Sequence, residues 1–514
     1  MGFARTYSVA LVGIQGHIVE VEADITAALP GFVLLGLPDA SLSEAKDRVK
    51  SAAKNAGIPL PQRKITINLT PPTLAKRGSG FDLALVMAAL QAAGELKIPE
   101  KIIYLGELGL DGSLRRIPGI LPAVQAAVDS GFEYFVVPKE NLEEAILVPG
   151  AQVRGFSSLA ELLVASGIDE KNIKYPPVRK EFAGSSEEQE SKRFLDMAEV
   201  SGQSEGRFAL EIAAAGAHHL LFKGPPGSGK TMLAERLPGI LPPLDDSSAM
   251  DVTAIHSLCG TGTPRHELIR EPPFEAPHHS ASAPAILGGG SGIPKPGAIS
   301  KAHRGVLFLD EAPEFKRTVL DSLRQPLESG QITLDRSIAS AVYPARFQLV
   351  LAANPCPCGM NTGRGLECTC SSKERRNYFG RLSGPLLDRV DLHITVPRVQ
   401  SHELALTEHN ESSESIRTRV IQARAAQRER LAPYGLSTNA ETNGRLLRGD
   451  LKLDAALLSP LLRAIDRGTI TARGFDRVLR TAWTIADLEG KSSPAAEHLD
   501  LAMYFRNLHS TSPS

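Results

Sequence analysis

Eight consecutive residues, Gly-Pro-Pro-Gly-Ser-Gly-Lys-Thr, form a candidate phosphate-binding loop near the middle of the 514-residue chain. Glycines in such a loop let backbone N–H groups turn inward onto phosphate oxygens, at the positive end of the following helix. The lysine supplies a charge to the β- and γ-phosphates, and the threonine offers its hydroxyl to Mg²⁺. The predicted nucleotide-binding residues are Gly224, Pro225, Pro226, Gly227, Ser228, Gly229, Lys230 and Thr231.

Two carboxylates end a later apolar run, Gly305-Val-Leu-Phe-Leu-Asp310-Glu311. A carboxylate at the C-terminal end of a buried strand can reach the Mg²⁺ that Thr231 coordinates, and we assign this role to Asp310. Glu311 is then placed to polarise the attacking water. The pair of carboxylates therefore indicates ATP hydrolysis and not nucleotide binding alone.

A third apolar run, which begins at Phe347, ends in the amide of Asn354, which can orient the same water near the γ-phosphate. Two arginines, Arg381 and Arg389, follow it. An arginine that completes a neighbour's site would neutralise charge in the transition state. On the residues alone, a structural or solvated arginine is an equal alternative for each.

Four of the five cysteines lie within 15 residues, in the order Cys356, Cys358, Cys368 and Cys370. In a reducing compartment such a cluster suggests metal before disulfides, and four thiolates suit a closed, structural zinc site. The alternative is four unligated thiols in a loop. We assign no role to the fifth cysteine, Cys259.

The elements that must position these residues follow an α/β pattern. Apolar strand-like runs precede the loop, the carboxylate pair and Asn354, and the loop is followed by a helix start. We predict an α/β domain at 1–168, an exposed polar linker at 169–198, a second α/β block at 199–400 and a helical region at 401–514. The N-terminal domain alternates strand-like and helix-like segments, including a hairpin with Asp-Gly at its turn.

The composition is that of a globular protein, with 42% hydrophobic and 22% charged residues. The net charge of -1 excludes a generally basic nucleic-acid coat, so any contact with DNA must use a local basic surface. No stretch approaches the roughly 18 to 20 apolar residues of a membrane span, and the N-terminus does not resemble a signal peptide. We therefore expect a cytoplasmic protein without membrane partners.

The order of GPPGSGKT, VLFLDE, AANPCPCG and GPLLDRVD resembles the AAA+ superfamily, and more closely its magnesium-chelatase-like branch with the ComM/YifB family. Residues 273–300 and 471–488 are similar to the same family, and the resemblance covers nearly the whole chain. It implies a P-loop AAA+ αβα module with a C-terminal helical lid. It also implies that the preceding α/β domain is similar to the Lon-protease/ribosomal-S5-domain-2 fold.

The resemblance also implies roles for individual residues. The loop would be the Walker A motif, Asp310-Glu311 the Walker B motif and Asn354 sensor 1. Arg389 would be the finger that acts on the adjacent subunit, so the chain would form a ring, of six subunits as the resemblance implies. Arg473 would be the sensor 2 arginine of the lid, with Arg477 as its alternative. Gln203 would lie near the adenine.

Two insertions in the second block would face the pore of such a ring. One is the Gly-rich segment between the two Walker motifs, and the other is the hairpin-like Gln331-Ile-Thr-Leu-Asp-Arg336. Lys295, Lys301 and Arg336 would contact DNA phosphates there, with ordinary surface charges as the equal alternative. For His278-His279, a structural or substrate-contacting loop is favoured over a metal or catalytic pair.

A Lon-type protease needs a serine nucleophile and a lysine base. The matching segment places Gly80 at the nucleophile position, with Ser79 one residue away, and the region expected to carry the lysine, Ile117 to Ala123, has none. We therefore predict that the N-terminal domain is a non-catalytic docking or DNA-engaging module.

The favoured function is a ring-forming ATPase that acts on single-stranded or branched DNA and drives branch migration during natural transformation. ATP hydrolysis follows from the residues, whereas the DNA substrate follows from the resemblance. The alternatives are a chelatase-type motor that inserts Mg²⁺ into a porphyrin, and an ATP-dependent protein remodeller or protease.

Overall fold

The structure is a computed structural model that describes residues 2–36, 40–72, 74, 78–177, 195–260, 265–290, 294–336, 340–361, 367–399 and 410–507. Most of the predicted linker (178–194) lies outside the described residues, as does the predicted boundary at 400–401. Within the part of the chain that is described, no helix is long and apolar enough to cross a membrane.

The N-terminal domain is built on a seven-stranded mixed sheet in the order β3-β4-β2-β1-β5-β8-β9. The predicted hairpin with Asp-Gly at its turn is present, because Glu107–Leu108 and Leu114–Arg115 pair antiparallel on either side of Asp111-Gly112. In the first hairpin of the chain, β1 and β2 pair antiparallel around a turn in which Gly13 has a φ of 67°. The strands and helices of the domain are β1 (Gly2–Val12), β2 (Gln15–Thr26), β3 (Gly31–Leu35), α1 (Ala40–Asn55), β4 (Lys64–Thr70), α2 (Asp82–Ala92), β5 (Ile102–Tyr104), β6 (Glu107–Leu108), β7 (Leu114–Arg115), α3 (Ile120–Asp129), β8 (Tyr134–Pro138), α4 (Leu142–Ala145), β9 (Gln152–Phe156) and α5 (Leu159–Ala165).

The second block is built on a five-stranded parallel sheet in the order β11-β14-β17-β10-β18. Its elements are α6 (Ser204–Gly216), β10 (Leu220–Lys223), α7 (Lys230–Ile240), α8 (Asp246–Cys259), β11 (Phe274–Glu275), α9 (Ala283–Leu287), β12 (Gly288–Gly289), β13 (Lys295–Pro296), α10 (Ala298–Lys301), β14 (Val306–Leu309), α11 (Arg317–Ser322), α12 (Arg324–Ser329), β15 (Gln331–Asp335), β16 (Ser340–Pro344), β17 (Gln348–Ala353), α13 (Ser372–Phe379), α14 (Gly384–Leu387) and β18 (Leu392–Thr395).

The three strands predicted to carry chemistry, β10, β14 and β17, are adjacent at the centre of this sheet. Almost all of their residues are buried, as expected for strands of a parallel sheet that is covered on both faces. Because all strands run the same way, the residues after β10, β14 and β17 meet at the carboxyl edge of the sheet. The segment before β18 meets the start of β10 at the opposite, amino edge.

The C-terminal region is helical, as predicted. Its helices are α15 (Ser413–Leu431), α16 (Gly444–Arg448), α17 (Ala455–Asp466), α18 (Ala472–Leu488) and α19 (Ala496–Asn507). The five-residue α16 was not predicted, because one turn and a half is too short to show a helical period. Helices α15 and α18 share a hydrophobic core with the parallel sheet, through residues such as Val420, Leu479 and Phe222.

The N-terminal domain packs against helix α8 of the second block. The backbone N–H of Gly119, just before α3, donates a hydrogen bond to the carbonyl of Ser257 at 3.1 Å. Ile14, in the turn of the first hairpin, packs against the hydrophobic core that includes β15 and β16. The two α/β units therefore share contacts beyond the chain that connects them.

Candidate functional site

The phosphate-binding loop lies between β10 and α7, and its shape depends on two glycines. Gly227 and Gly229 have φ angles of 73° and 89°, in the left-handed region that side-chain-bearing residues rarely adopt. The N–H of Gly224 donates to the carbonyl of Ala353 at 3.1 Å, which ties the loop to the end of β17. Helix α7 begins at Lys230, so the loop caps the positive end of that helix.

Lys230 is held above the loop by three oxygen atoms. Its Nζ donates to the carbonyls of Gly224 and Pro225, each at 2.8 Å, and to Asn354 Oδ1 at 3.2 Å. Burial lowers the pKa of Lys230, and the charges of Asp310 and Glu311 oppose this shift. The amine therefore lies at the carboxyl edge of the sheet, beside the loop that would receive the phosphates.

The two residues predicted to hold Mg²⁺ are in direct contact. Thr231 Oγ1 donates a hydrogen bond to Asp310 Oδ2 at 2.9 Å. Mg²⁺ prefers oxygen ligands at about 2.1 Å and usually keeps several waters, so one hydroxyl and one carboxylate on the same side suit it. The donor set fits a magnesium ion that would bridge the protein to nucleotide phosphates.

Glu311 follows Asp310 with a left-handed φ of 49°, which turns its side chain away from the strand direction. One of its carboxylate oxygens lies 3.3 Å from Nδ1 of His279. His279 follows β11, the strand that pairs in parallel with β14, so both residues emerge at the same edge. The sequence analysis did not predict this contact. The strand that brings His279 to the edge, Phe274–Glu275, has only two residues, too few to show the alternation of apolar and polar residues that identifies a strand.

Gln203 lies on the other side of the loop, just before α6. Its Nε2 donates to the carbonyl of Ser228 at 3.1 Å and to that of Pro397 at 2.7 Å. The side chain thus joins the phosphate loop to the segment after β18. This position is next to the loop, as the prediction of a residue near the base requires.

The arginines lie elsewhere. Arg389 is three residues before β18, at the amino edge of the sheet, and its side chain pairs with Glu328. Burial, followed by the charges of Arg324, Arg473 and Arg477, lowers the pKa of Arg389. Arg389 is thus near three other arginines, although Arg389 itself pairs with Glu328 and Arg477 pairs with Asp391. A four-residue strand of about 13 Å separates this edge from the phosphate loop.

The structure separates the two lid arginines that the sequence left as alternatives. Arg477 donates to Asp391 Oδ1 at 2.9 Å, and this carboxylate is fully buried. Burial by itself would raise the pKa of the Asp391 carboxyl. Its neighbours Arg477, His218 and His219 outweigh this effect and hold the pKa well below its usual range. Arg473, one turn earlier in α18, is exposed. Arg477 therefore ties α18 to the segment before β18, whereas Arg473 is accessible to a ligand.

The other predicted arginine and the predicted DNA-contacting residues are at the surface. Arg381 pairs with Glu314 at 2.8 Å, in the segment after Glu311. Lys295 is exposed in β13, Lys301 ends α10, and Arg336 directly follows β15.

The predicted hairpin is present as β15 and β16. Beside it lies a cavity of about 630 Å³, bordered by Arg324, Arg336 and Arg389 among other residues. Three arginines and two carboxylates, those of Asp321 and Glu328, thus border one opening between the hairpin and the amino edge.

Two further groups of side chains were predicted from the sequence. The Sγ atoms of Cys356, Cys358, Cys368 and Cys370 all lie within 4.8 Å of one another. In the N-terminal domain, Ser79 Oγ donates to the carboxylate of Glu107, and no lysine amine contacts it among the described side chains.

Comparison with known proteins agrees with this arrangement. The family described as "Magnesium chelatase, subunit ChlI" matches residues 196–404, and its C-terminal part, "Magnesium chelatase, subunit ChlI C-terminal", matches residues 410–506. A third description, "Subunit ChlI of Mg-chelatase", matches residues 21–141.

Full-length relatives extend over both α/β units. An uncharacterized protein of Mycobacterium tuberculosis is 48% identical over 98% of this chain and 99% of its own length. Competence protein ComM of Haemophilus influenzae is 41% identical over 98% of each chain. YifB of Escherichia coli is 39% identical over 98% of this chain and 97% of its own. With its parallel sheet and phosphate loop, the chain belongs to the ComM/YifB family of magnesium-chelatase-like AAA+ proteins.

Proposed function

We propose that the protein is a ring-forming, ATP-hydrolysing motor that acts on DNA and drives branch migration of recombination intermediates during natural transformation. Family membership supports an ATPase motor that uses Mg²⁺. The observation that carries the hydrolytic part is the convergence of Lys230, Thr231, Asp310 and Asn354 at one edge of the sheet. The competence-related name of a full-length relative supports the DNA part.

In this proposal, Lys230 Nζ gives up its hydrogen bonds to the loop carbonyls when ATP binds and donates to the β- and γ-phosphate oxygens instead. Thr231 and Asp310 hold the Mg²⁺, which supplies positive charge to those oxygens. Glu311 accepts the proton of the attacking water, and Asn354 orients that water. Electrostatic stabilisation of the transferred phosphoryl group is the main catalytic effect expected of such a site.

Among the described residues, the arginines near the carboxyl edge have other partners: Arg381 pairs with Glu314, and Arg398 contacts the sulfur of Met360. Arg389 and the exposed Arg473 lie at the amino edge, where their own nucleotide is out of reach. We therefore propose that both arginines act on the nucleotide of the adjacent subunit. A closed ring, of six subunits as in the family resemblance, would give every site such a neighbour.

The proposed DNA surface includes Lys295 and Arg336. A Cβ placed on Gly289, which pairs with Lys295, would lie 2.8 Å from Arg336 Nη2, so the two short β-ribbons are neighbours. Lys301 is one turn beyond β13 in the chain. Positive side chains on adjacent ribbons are suited to phosphate contacts on a single or branched strand.

The test is the ATPase rate and branch migration on a synthetic four-way DNA junction, for the wild type and for Lys230→Ala. We expect the junction to bind and to stimulate hydrolysis in the wild type, and the variant to lose both hydrolysis and migration. A wild-type protein that hydrolyses ATP but neither binds the junction nor responds to it would disprove the DNA assignment.

The match to magnesium chelatase subunits favours one second candidate, a motor for insertion of Mg²⁺ into a porphyrin. Spectroscopic titration of the protein with a porphyrin and Mg²⁺, with and without ATP, distinguishes it from the DNA motor. A casein-degradation assay addresses the protease alternative, against which the Ser79–Glu107 contact argues.

The remaining assignments follow the same proposal. The cofactors would be ATP, Mg²⁺ and a structural Zn²⁺ on the four clustered cysteines. The N-terminal domain would have the Lon-protease/ribosomal-S5-like fold without proteolytic activity, and the protein would act in the cytoplasm. Zinc analysis tests the structural Zn²⁺, and casein degradation tests the absence of proteolytic activity, both independently of DNA.

A further inference from the structure

The cluster of four cysteines has the geometry of a tetrahedral metal site. Cys356 Sγ lies 3.3 Å from Cys358 Sγ and 3.6 Å from Cys368 Sγ, and Cys358 Sγ lies 3.7 Å from Cys368 Sγ. A Zn–S bond of about 2.3 Å puts the sulfurs of a tetrahedral zinc site about 3.8 Å apart. The three distances are therefore close to those of a ZnS₄ site.

The surroundings of the sulfurs are compatible with such a site. Cys356 is buried, and the other three cysteines are partly buried. Four thiolates complete the tetrahedral coordination of Zn²⁺ and leave no position open for water or substrate. The donor set thus fits a closed structural zinc site.

We call residues 356–361 and 367–370 the cysteine knuckle. Its glycine, Gly359, touches the phosphate loop: a Cβ placed there would lie 2.5 Å from both Cγ and Cδ of Pro226. With a φ of 76°, Gly359 also makes the turn that returns its N–H to the carbonyl of Cys356 at 2.9 Å. The backbone of the knuckle therefore lies directly on the proline ring of the loop.

The knuckle is also continuous with the residue that contacts Lys230. Asn354, whose Oδ1 accepts from Lys230 Nζ, is two residues before Cys356. At its other end the knuckle leads into α13, whose Arg375 donates to Asn361 Oδ1 at 3.1 Å. A metal that holds the four cysteines would thus restrain two separate contacts to the loop, at Pro226 and at Lys230.

We infer that a Zn²⁺ ion bound by Cys356, Cys358, Cys368 and Cys370 braces the phosphate loop through the Gly359–Pro226 contact and keeps it in its nucleotide-binding shape. The bracing step rests on the proposed nucleotide site, whereas the zinc site does not. Pre-ordering a loop raises affinity because less freedom is lost when the ligand binds. Loss of the metal therefore weakens nucleotide binding without removing any residue that touches the nucleotide.

The first experiment measures zinc content by mass spectrometry and the affinity for a fluorescent ATP analogue on the full-length chain purified under reducing conditions. We expect about one zinc per chain in the wild type and its loss in Cys368→Ser. Nucleotide affinity should fall by about three- to tenfold with the metal. Cys259→Ser, a cysteine outside the knuckle, is the matched control and should change neither quantity.

A second variant separates the brace from the metal. Gly359→Ala keeps all four cysteines but places a methyl group against Pro226, so zinc should stay near one per chain while nucleotide affinity falls about three- to tenfold. Gly435→Ala is its control, because Gly435 also has a positive φ, of 68°, but a Cβ there meets no atom within 4 Å.

The same comparison can be made on the wild type without a substitution. Zinc is removed with a zinc-selective chelator, Mg²⁺ and then Zn²⁺ are added back, and nucleotide affinity is measured after each step. Affinity that falls with the chelator and returns with zinc supports the brace. A wild type with less than about 0.2 zinc per chain overturns the metal site. Retained zinc with unchanged affinity in Gly359→Ala, or zinc loss with unchanged affinity in Cys368→Ser, overturns the brace. Absence of any nucleotide binding in the wild type would contradict the proposed function and leave the zinc result standing.

Discussion

The two edges of the parallel sheet carry different chemical groups. The carboxyl edge gathers the lysine, the hydroxyl and the carboxylates around the phosphate loop, with Lys230 and Asp310 within reach of one nucleotide. The amino edge gathers positive charge around Arg389 and has no phosphate-binding loop. The length of the strands separates the two groups within one subunit. In the proposed function, a neighbouring subunit would bring the amino edge of one chain to the phosphate loop of the next.

The largest effect is expected from the removal of the Arg389 side chain at the amino edge. Arg389→Ala should lower kcat for ATP hydrolysis about a thousandfold, because an arginine that stabilises the transferred phosphoryl group contributes at least this much. Arg381→Ala, whose guanidinium pairs with Glu314, is the control and should have a far smaller effect. Steady-state phosphate release measures both.

Mixing variants tests whether Arg389 acts across subunits. Equal amounts of Arg389→Ala and Lys230→Ala should hydrolyse ATP faster than the sum of the two alone, since some interfaces pair an intact loop with an intact arginine. Co-purification of differently tagged subunits verifies that mixed assemblies form. If they form and the rates only add, the arginine does not act in trans.

The next largest effect concerns the carboxyl edge. Glu311→Gln should lower hydrolysis about a hundredfold or more and leave nucleotide affinity unchanged, because a general base acts only on the chemical step. Glu314→Gln makes the same substitution three residues away, leaves Glu311 unchanged and serves as the control. A Glu311→Gln rate within about threefold of wild type would rule out this glutamate as the base.

A third prediction concerns how the lid is attached to the amino edge. Arg477→Met leaves the buried Asp391 without its arginine and should lower the free energy of unfolding by about 3–5 kcal/mol. Arg473→Met, at an exposed position of the same helix, should change it by about 0.5 kcal/mol or less. Urea unfolding followed by fluorescence of Trp483, the one tryptophan of the chain and part of α18, measures both. Equal losses for the two variants would contradict the separate roles.

The smallest effect is expected from the contact between His279 and Glu311. His279→Ala removes the contact of 3.3 Å with Glu311 and should raise the DNA-free hydrolysis rate, because the carboxylate is released to contact water. Both side chains are partly exposed, and pairs of this kind contribute at most about 1 kcal/mol, so the increase should not exceed about fivefold. His278→Ala, which keeps the contact, is the control. An unchanged rate in both variants would show that the contact has no influence on hydrolysis.

Much of the fold could be predicted because the signals were local. Apolar runs marked β10, β14 and β17, and the described part of the region predicted to be helical contains α15 to α19. Elements of two to five residues, such as β11 and α16, could not be predicted, because they are shorter than the period that identifies them. The contact of His279 with Glu311 depends on one such element and was missed for this reason.

By itself, the sequence determined the chemical groups: the phosphate loop, the carboxylate pair, the amide that follows β17 and a cluster of four thiols. These follow from residue type and short spacing, which local backbone geometry preserves. Only the tertiary structure decided which groups meet. The parallel order of the sheet brings Thr231 to Asp310 across 79 positions of the chain and places Arg477 rather than Arg473 on Asp391. It also sets Gly359 against Pro226, because contacts between distant segments depend on strand order and packing, which no local pattern encodes.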